Sequence, residues 1–120
     1  ICEMNGHAVG KPRNRHEAAS MLQRAFRGAH QVVTGVCILC DQRQWMFFDQ
    51  AQVTMEAVEI EKLNKYIESD LWQGRAGGYD MNERLADGWR LHCQGDADSV
   101  AGLPWRRVKE FLAQTEKQFL

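Results

Sequence analysis

The sequence predicts an α/β domain with a mixed, twisted sheet flanked by helices. The run His30–Cys40 is apolar and rich in β-branched residues, which indicates a buried strand. By contrast, Ile60, Leu63 and Ile67 recur at helical spacing and predict a helix over about residues 59–68. Patterns of these two kinds alternate along the 120 residues, which favours a sheet with helices packed against it.

The first quarter of the chain predicts a tight hairpin that leads into a helix. Asn5-Gly6 is a strong turn signal, because both residues tolerate the positive φ angles of a two-residue hairpin loop. Residues 1–4 and 7–9 are therefore expected to pair as strands. Asn14 predicts the N-cap of a helix over about residues 15–27. The apolar stripe of that helix consists of Ala18, Met21, Leu22, Ala25 and Phe26.

The rest of the chain predicts a long hairpin, a further strand and a last helix. A polar turn at residues 41–44 separates His30–Cys40 from a second apolar strand over residues 45–55. The two strands are expected to pair antiparallel, because a short turn joins them. A strand is expected around residues 89–93 and a helix over residues 104–117, which a proline begins. The buried side of that helix is expected to hold Trp105, Val108, Leu112 and Phe119.

Composition and charge exclude several classes of partner. The net charge is −1 and the pI is about 6.5, so the chain lacks the basic excess that binding to polymeric nucleic acid generally requires. No apolar run reaches the roughly 18 residues that a membrane span needs. The first residues have neither the basic segment nor the apolar run of a signal peptide. They already have the pattern of a strand and a turn, so the chain is expected to begin inside a fold.

Four cysteines are present, at positions 2, 37, 40 and 93. A zinc ribbon would need a second pair with the spacing of Cys37 and Cys40, and the sequence has none. In a strand, residues three apart point to opposite faces, which argues against chelation or a disulfide between these two. A redox pair is the weaker alternative. Free, mostly buried thiols in a reducing cytoplasm are expected.

Lys11 is the first candidate binding residue. It lies between Gly10, which lets a polyanion approach the backbone, and Pro12, which fixes the direction of the chain. A lysine there can present a point charge to phosphates, and Arg13 and Arg15 add positive charge nearby. The helix start that follows offers free N–H donors. From spacing alone, a solvated basic loop is the simpler alternative.

A glycine-rich loop over residues 73–83 is the second candidate. Gly77 and Gly78 can bring main-chain N–H groups against a ligand, whereas Tyr79 can stack on a ring or pack in the core. Asn82 offers amide donors and a carbonyl acceptor, which suit the edge of a base. Alone, this pattern is equally typical of a tight surface loop followed by a helix start.

Acidic residues near the C-terminus give little support to a metal site. Asp96 follows a predicted strand and suits a helix N-cap or a supporting role. Asp96 and Asp98 without a third ligand make a poor cation site, so no metal-ligating residue is assigned. No Ser, His and Asp arrangement is apparent, and nucleophilic catalysis therefore has no local support.

The order and spacing of these motifs resemble one enzyme family. Its characteristic runs G-K-P-R, H-x-V-x-T-G, K-A-G-G-Y-G-I-Q-G and G-D-Y-x-N-V-x-G-L-P are matched, in that order, by residues 10–13, 30–35, 75–83 and 95–104. Each run is weak alone, but the set is much more specific. On these residues, the chain is similar to the Maf family (septum formation inhibitor-like nucleotide pyrophosphatases) over essentially its whole length.

The resemblance implies an activity and roles for single residues. Proteins of this family hydrolyse nucleoside triphosphates to the monophosphate and pyrophosphate with a divalent metal, Mg²⁺ or Mn²⁺. Lys11 would contact the triphosphate and act in catalysis. Asn82 would stand where the family often has a Gln that helps to select the base. Thr34 would form part of the wall of the nucleotide pocket. The implied substrate-binding residues are Lys11, Arg13, Gly77, Gly78, Tyr79 and Asn82.

The same resemblance predicts that residues 1–120 are the C-terminal part of a larger Maf-like domain, without its N-terminal strand and helix. The catalytic acid of the family lies in an A-D-T strand, and without gaps that Asp falls two positions before Ile1. An S-x-x-R phosphate loop would lie further upstream. The sequence departs from the family pattern at Arg75, Asp80, Asn82, Ala97 and Ser99, so the base preference does not carry over.

Two hypotheses for the function follow. In the first, the parent protein is a nucleoside triphosphate pyrophosphatase for a pyrimidine or modified nucleotide, with a cleft lined by the Lys11 loop and the Gly77 loop. In the second, the chain is a non-catalytic nucleotide-binding or dimerising remnant of the family. An apolar surface is expected to remain on the sheet, where a second copy of the chain or the missing segment would cover it.

Overall fold

Five strands form one sheet in the computed structural model, in the order β2-β1-β3-β4-β5. The structure describes residues 1–95, 97, 100 and 103–119, with side chains up to residue 114. The strands are β1 (Cys2–Met4), β2 (His7–Val9), β3 (His30–Cys40), β4 (Arg43–Met55) and β5 (Leu91–Gln94). The helices are α1 (Arg15–Phe26), α2 (Ile60–Ser69), a 3₁₀ helix (Ala76–Gly78), α3 (Met81–Ala86) and α4 (Trp105–Phe119).

The α/β class with flanking helices is confirmed, but the described strands do not form the mixed sheet that we expected. Every pairing between them is antiparallel. For two of the four pairings the reason is local, because tight turns join β1 to β2 and β3 to β4. A strand that returns directly after a turn runs antiparallel to its neighbour. Residues with positive φ form both turns: Asn5 and Gly6 in the first, Asp41 in the second.

One helix goes beyond the sequence prediction. The sequence of the glycine-rich loop predicts only a helix start after it, whereas the structure has α3 there. Asp80 caps this helix, since its carboxylate accepts a hydrogen bond of 3.0 Å from the Glu83 backbone N–H. An aspartate at such a position satisfies an N–H that the first turn leaves without an intrahelical acceptor.

The core lies between the sheet and α1. Asn14 caps α1 as predicted, with its side-chain oxygen 2.8 Å from the Glu17 backbone nitrogen. The predicted apolar stripe is confirmed, because its members are buried except Phe26, which is half-buried. Leu22 of this stripe is fully buried and joins one cluster with Val53 and Met55 of β4. Helix α1 thereby fixes the end of the sheet that carries the Lys11 loop.

The far end of the β3–β4 hairpin differs from the expected buried strand. We call residues 35–48 the hairpin tip. Leu39, Met46 and Phe48 are 73%, 65% and 72% exposed, all on one face of the tip. The tip is exposed because α1 and α2 pack against the other end of the sheet. An apolar surface on the sheet is thus confirmed, while self-association through it stays a prediction.

Helix α4 covers the opposite face of the tip, with a different phase from the one predicted. Val108 is buried, but Trp105 and Leu112 are 51% and 47% exposed. Phe111 contacts the Trp45 ring at a centroid distance of 5.0 Å, and the Arg107 guanidinium lies 4.4 Å from the Phe47 ring centroid. The side facing the hairpin therefore includes an arginine, which apolar periodicity alone does not reveal. The predicted buried position of Phe119 lies outside the described side chains.

The cysteines are less buried than expected. Cys2 is buried, but Cys37 and Cys40 are exposed because they lie toward the end of the hairpin tip. These three are free thiols. Burial raises the pKa of the Cys2 thiol to about 11. Among the described residues, no helix is both long and apolar enough to span a bilayer.

Candidate functional site

A backbone hydrogen bond joins the two candidate loops, which are far apart in the sequence. The Gly77 N–H donates to the Gly10 carbonyl at 3.2 Å. Lys11 follows Gly10 directly, so this bond holds the lysine loop against the glycine loop. Pro12 is buried next to the same contact, and its ring lies 3.8 Å from where a Cβ on Gly78 would be. The two loops therefore form one structural unit.

Both loops line one cavity of about 550 Å³. Lys11 contributes from the first loop, and Gly74, Arg75 and Ala76 contribute from the glycine loop. The floor includes residues from the start of β1 and from the middle of β3. The lining residues are Ile1, Cys2, Lys11, Val32, Val33, Thr34, Gly35, Phe48, Gly74, Arg75, Ala76, Tyr79, Asp80 and Val100.

Two glycines of the glycine loop have backbone angles that disfavour other residues, and one of them lies where a side chain would be crowded. Gly77 and Gly78 have φ angles of 75° and 86°, which side chains other than glycine adopt only with strain. A Cβ on Gly77 would lie 3.2 Å from the Cys2 sulfur. The Tyr66 hydroxyl donates a 2.6 Å hydrogen bond to the Gly78 carbonyl. Contacts with β1, α2 and the Lys11 loop thus hold the loop in one conformation.

The charges around the cavity are arranged unequally. Lys11 is exposed and forms no ion pair with any residue that the structure describes. Arg75, by contrast, is 3.5 Å from the Asp80 carboxylate and 3.1 Å from that of Glu83. Its positive charge is therefore largely compensated by acidic neighbours. Among the described lining residues, Lys11 is the cation whose charge is not compensated by an ion pair.

Comparison with known proteins identifies the family of the chain. A family model described as Maf-like protein matches residues 1–115. The chain belongs to the Maf family. A protein of Bacillus pumilus named dTTP/UTP pyrophosphatase is 36% identical over 115 residues, which cover 93% of this chain and 59% of the relative.

Two further relatives carry the same name. The protein of Shouchella clausii is 35% identical and that of Bacillus anthracis is 34% identical, over 90% and 95% of this chain. The matched region is 56% and 59% of their respective lengths. The chain therefore spans less than two thirds of the length of the curated relatives that it matches.

Arg13 and Asn82 lie outside the lining of the cavity that contains Lys11. Arg13 is exposed and pairs with Glu17 at 2.9 Å, and this arginine lowers the pKa of the Glu17 carboxyl. Asn82 is the second residue of α3 and is exposed. Neither belongs to the described lining residues. The structure brings Lys11 together with the glycine loop, but it does not bring these two side chains to them.

Tyr79 is a lining residue whose side chain packs in the core. It is 7% exposed, and its hydroxyl lies 2.6 Å from the His30 Nε2 atom. Burial raises the pKa of the Tyr79 hydroxyl and lowers the pKa of the His30 imidazole, so both groups are uncharged at neutral pH. The ring of Tyr79 is edge-on to His30. Of the two alternatives in the sequence analysis, the structure favours core packing over stacking on a ligand.

The segment after β5 is described only in part. Gly95 has a φ of 121°, and a Cβ there would lie 3.0 Å from the Ala51 Cα atom, so the backbones of β4 and this turn approach closely. The expected N-cap or supporting role of Asp96 lies outside the described residues, as do Asp98 and Ser99. Leu103 and Pro104 are described and lead into α4.

A metal ion finds few ligands in the described part of this Maf chain. No group of three His, Cys, Asp or Glu side chains with suitable geometry occurs among the described residues. Asp80 is the carboxylate that lines the cavity, but it already caps α3 and pairs with Arg75. The described residues do not form a resident metal site by themselves.

Sequence reasoning missed two parts of the site. Arg75 lines the cavity, whereas the sequence shows it only as a departure from the lysine of the K-A-G-G-Y pattern. Tyr66 of α2 holds the glycine loop through its hydrogen bond to Gly78. Sequence reasoning missed it because its position is one of the buried positions of the helix, where an apolar residue is ordinary. A tyrosine on a buried face indicates that its hydroxyl has a hydrogen-bond partner, but the sequence does not indicate which residue that partner is.

Proposed function

We propose that this chain forms part of a nucleoside triphosphate pyrophosphatase. The observation that carries the proposal is that Lys11 and the glycine loop line one cavity and are joined by the Gly77–Gly10 hydrogen bond. A cavity of about 550 Å³ has the size of small-molecule sites. An exposed lysine without an ion-pair partner among the described residues suits the negative tail of a nucleotide.

The reaction class follows from the names of the relatives and from the charge of the cavity. Water attacks the α-phosphorus, the bond from this phosphorus to the bridging oxygen breaks, and pyrophosphate leaves with the electron pair. Negative charge builds up on the phosphoryl oxygens and the leaving group, where the Lys11 ammonium can stabilise it. The matched relatives are named for dTTP and UTP, so we propose a pyrimidine nucleoside triphosphate as substrate.

The proton from the attacking water needs a general base. Asp80 is engaged with Arg75 and the start of α3, so it is a poor base. We propose that residues 1–120 are part of a larger catalytic domain, and that the acidic residue comes from a segment outside this sequence. The relatives, of whose length 56–59% is matched, leave room for such a segment.

A divalent cation, Mg²⁺ or Mn²⁺, belongs to the proposal as a companion of the substrate. Triphosphates bind Mg²⁺ through their own oxygens, and proteins often add only one or two carboxylates. The cation would reduce the negative charge of the triphosphate. Since the described residues hold no metal site of their own, the role we assign to this chain is limited to Lys11 and the loops around it.

The compartment is proposed from the thiols. Cys37 and Cys40 are free and exposed, and such thiols persist more readily in a reducing compartment than in an oxidising one. We therefore propose a cytoplasmic enzyme. Its substrates, free nucleotides, fit the small net charge of −1, which offers no broad surface for a nucleic acid polymer.

The test is pyrophosphate release by the intact gene product that contains this chain, with dTTP, UTP, dCTP, CTP and purine triphosphates in Mg²⁺ or Mn²⁺. Lys11→Ala should lower kcat/KM by about a hundredfold, the cost of removing one charge-stabilising group from a transition state. Lys65→Ala is the matched control, because Lys65 is exposed on α2 and does not line the cavity; it should retain full activity.

The outcomes separate the two hypotheses. Turnover that depends on Lys11 but not on Lys65 supports the pyrophosphatase. Nucleotide binding without turnover by the folded gene product supports the non-catalytic remnant. Equal activity of the Lys11→Ala variant and the unmodified protein would contradict the role of this cavity.

A further inference from the structure

Tyr66 connects α2 to the glycine loop through a single hydroxyl. Its side chain is 4% exposed, and the hydroxyl donates to the Gly78 carbonyl at 2.6 Å. Burial raises the pKa of this hydroxyl to about 12, so it remains a protonated donor at neutral pH. The Arg84 guanidinium lies 4.0 Å from the centroid of the Tyr66 ring and keeps the ring in place from the other side.

The hydrogen bond to Gly78 also fixes the next amide. The peptide bond between Gly78 and Tyr79 is trans, as are the other peptide bonds of the described chain. In a planar trans peptide, the carbonyl and the N–H point in opposite directions. Because the Gly78 carbonyl is directed at Tyr66, the Tyr79 N–H is directed away from α2.

Among the described residues, the Tyr79 amide is a donor without a hydrogen-bond partner. In the turns, loops and long-range hydrogen bonds of the described chain, no backbone or side-chain acceptor forms a hydrogen bond with this N–H. The two preceding amides differ, since Gly77 donates to the Gly10 carbonyl and Gly78 donates to the Arg75 carbonyl. Tyr79 is also a lining residue of the cavity that contains Lys11. Tyr79 as a residue is 7% exposed, and a main-chain N–H in such surroundings normally has an acceptor. We therefore expect the acceptor to come from the contents of the cavity.

We propose that the Tyr79 N–H donates a hydrogen bond to a phosphate oxygen of the bound ligand, and that Tyr66 is the positioning residue that directs it. Lys11 supplies charge from one side of the cavity, and this amide supplies a directed donor from the other. The inference rests on the proposed function, in that the anion is the phosphate chain of a nucleotide. Two adjacent glycines with positive φ allow the chain to bring this amide to the cavity wall.

The variant Tyr66→Phe removes the hydroxyl and keeps the ring, and with it the packing against Arg84 and the core. The Gly78 carbonyl then has no fixed donor, and the peptide after it can rotate. Ser69→Ala is the matched control. It also removes one hydroxyl of α2 that donates to a backbone carbonyl, in this case that of Tyr66 at 2.5 Å, and Ser69 does not line the Lys11 cavity.

The measurement is calorimetric titration of the intact gene product and both variants in Mg²⁺. Each protein is titrated with inorganic pyrophosphate and, separately, with thymidine, the nucleoside of dTTP. Tyr66→Phe should weaken pyrophosphate binding about tenfold, the effect of one hydrogen bond to a charged group, and Ser69→Ala by less than about twofold. Nucleoside binding should not change, whereas a general loss of structure would weaken both. Thermal unfolding establishes that each variant is folded.

Three results would overturn the inference: no binding of pyrophosphate by the unmodified protein, a loss below about threefold in Tyr66→Phe, or an equal loss in Ser69→Ala. Turnover of dTTP and UTP by the unmodified protein is measured in parallel and decides the proposed function separately. If turnover is absent while pyrophosphate binding depends on Tyr66, the enzyme assignment fails, but the role of the Tyr79 N–H as a donor to phosphate is supported. If turnover occurs and Tyr66→Phe binds pyrophosphate normally, the enzyme assignment is supported and the role of the Tyr79 N–H is contradicted.

Discussion

The two ends of the β3–β4 hairpin have the same strands and opposite surroundings. At the base, His30 of β3 is opposite Val53 of β4, and both are buried. At the tip, Cys37 is opposite Met46, and both are exposed. The pairing register continues without interruption between them. Strand pairing therefore sets the shape of the hairpin, while the helices that cover it determine which residues form the core.

The difference also explains where the candidate site lies. Near the base, α1, α2 and the β1–β2 hairpin surround the strands, and the loops that connect them are tied together by bonds such as that between Gly77 and Gly10. Apart from Gly35 and Phe48, which line the cavity, the tip has α4 on one face and solvent on the other. A binding site with fixed donors needs the first kind of surroundings, because each donor must be held by a second contact.

The largest expected effect compares two methionines of β4. Met55 at the base is 2% exposed, and Met46 at the tip is 65% exposed. Met55→Ala should lower the free energy of unfolding by about 3 kcal/mol, because it leaves a cavity in the core. Met46→Ala should change it by less than about 0.5 kcal/mol. Urea denaturation measures both, and similar losses would contradict the division of the hairpin into a buried base and an exposed tip.

A smaller effect compares two glycines. Gly77→Ala forces a side chain onto a φ of 75° and 3.2 Å from the Cys2 sulfur, which should cost about 1–2 kcal/mol of stability. Gly35→Ala, on β3, has a φ outside the left-handed region, and the nearest atom is 3.4 Å away on the exposed Phe48 ring. It should cost less than about 0.5 kcal/mol. Equal unfolding midpoints for the two variants would show that the glycine loop is not held as described.

The smallest expected effect concerns pH and His30. Burial lowers its pKa in the folded protein below the value of about 6.5 for an unfolded chain. The unfolded state therefore binds the proton more readily, so the stabilising contribution is present above about pH 6.5 and is lost as the pH falls toward the folded pKa. No histidine occurs at the hairpin tip, residues 35–48, so this dependence belongs to the base.

Urea midpoints measured from about pH 8 to about pH 5 provide the test. The unmodified protein should lose more stability below about pH 6.5 than the variant His30→Gln, which has no imidazole to protonate. Parallel curves for the two proteins would exclude His30 as a source of acid sensitivity.

Local patterns in the sequence correctly predicted the parts that depend on neighbouring residues. The Asn5-Gly6 turn, the Asn14 cap and the bounds of β3 follow from φ preferences, capping and β-branched composition. Lys11 and the glycine loop could be singled out as candidates by their residue types. Their meeting in one cavity came from the family resemblance, because separations of more than 60 residues carry no local signal.

Other parts of the site could not be predicted from sequence. The position of Tyr66 looks like any buried position of an amphipathic helix, and its hydroxyl finds Gly78 only when α2 packs beside the loop. Asn82 has the chemistry of a base-reading residue, but α3 leaves it exposed and outside the lining of the cavity. Side-chain chemistry indicates what a residue can do, whereas packing determines whether it is placed to do it.

The sequence by itself determined the hairpin turns, the Asn14 cap, the order of the strands and of α1, α2 and α4, and the family of this chain. These features depend on backbone preferences and hydrogen bonds within a few residues, or on motif order along the chain. Only the tertiary structure decided that the hairpin tip is exposed, that α4 meets it through Arg107 and Phe111, and that Tyr66 directs the Gly78 peptide. Those outcomes depend on which helix packs against which face of the sheet, and burial is a property of that packing rather than of a residue.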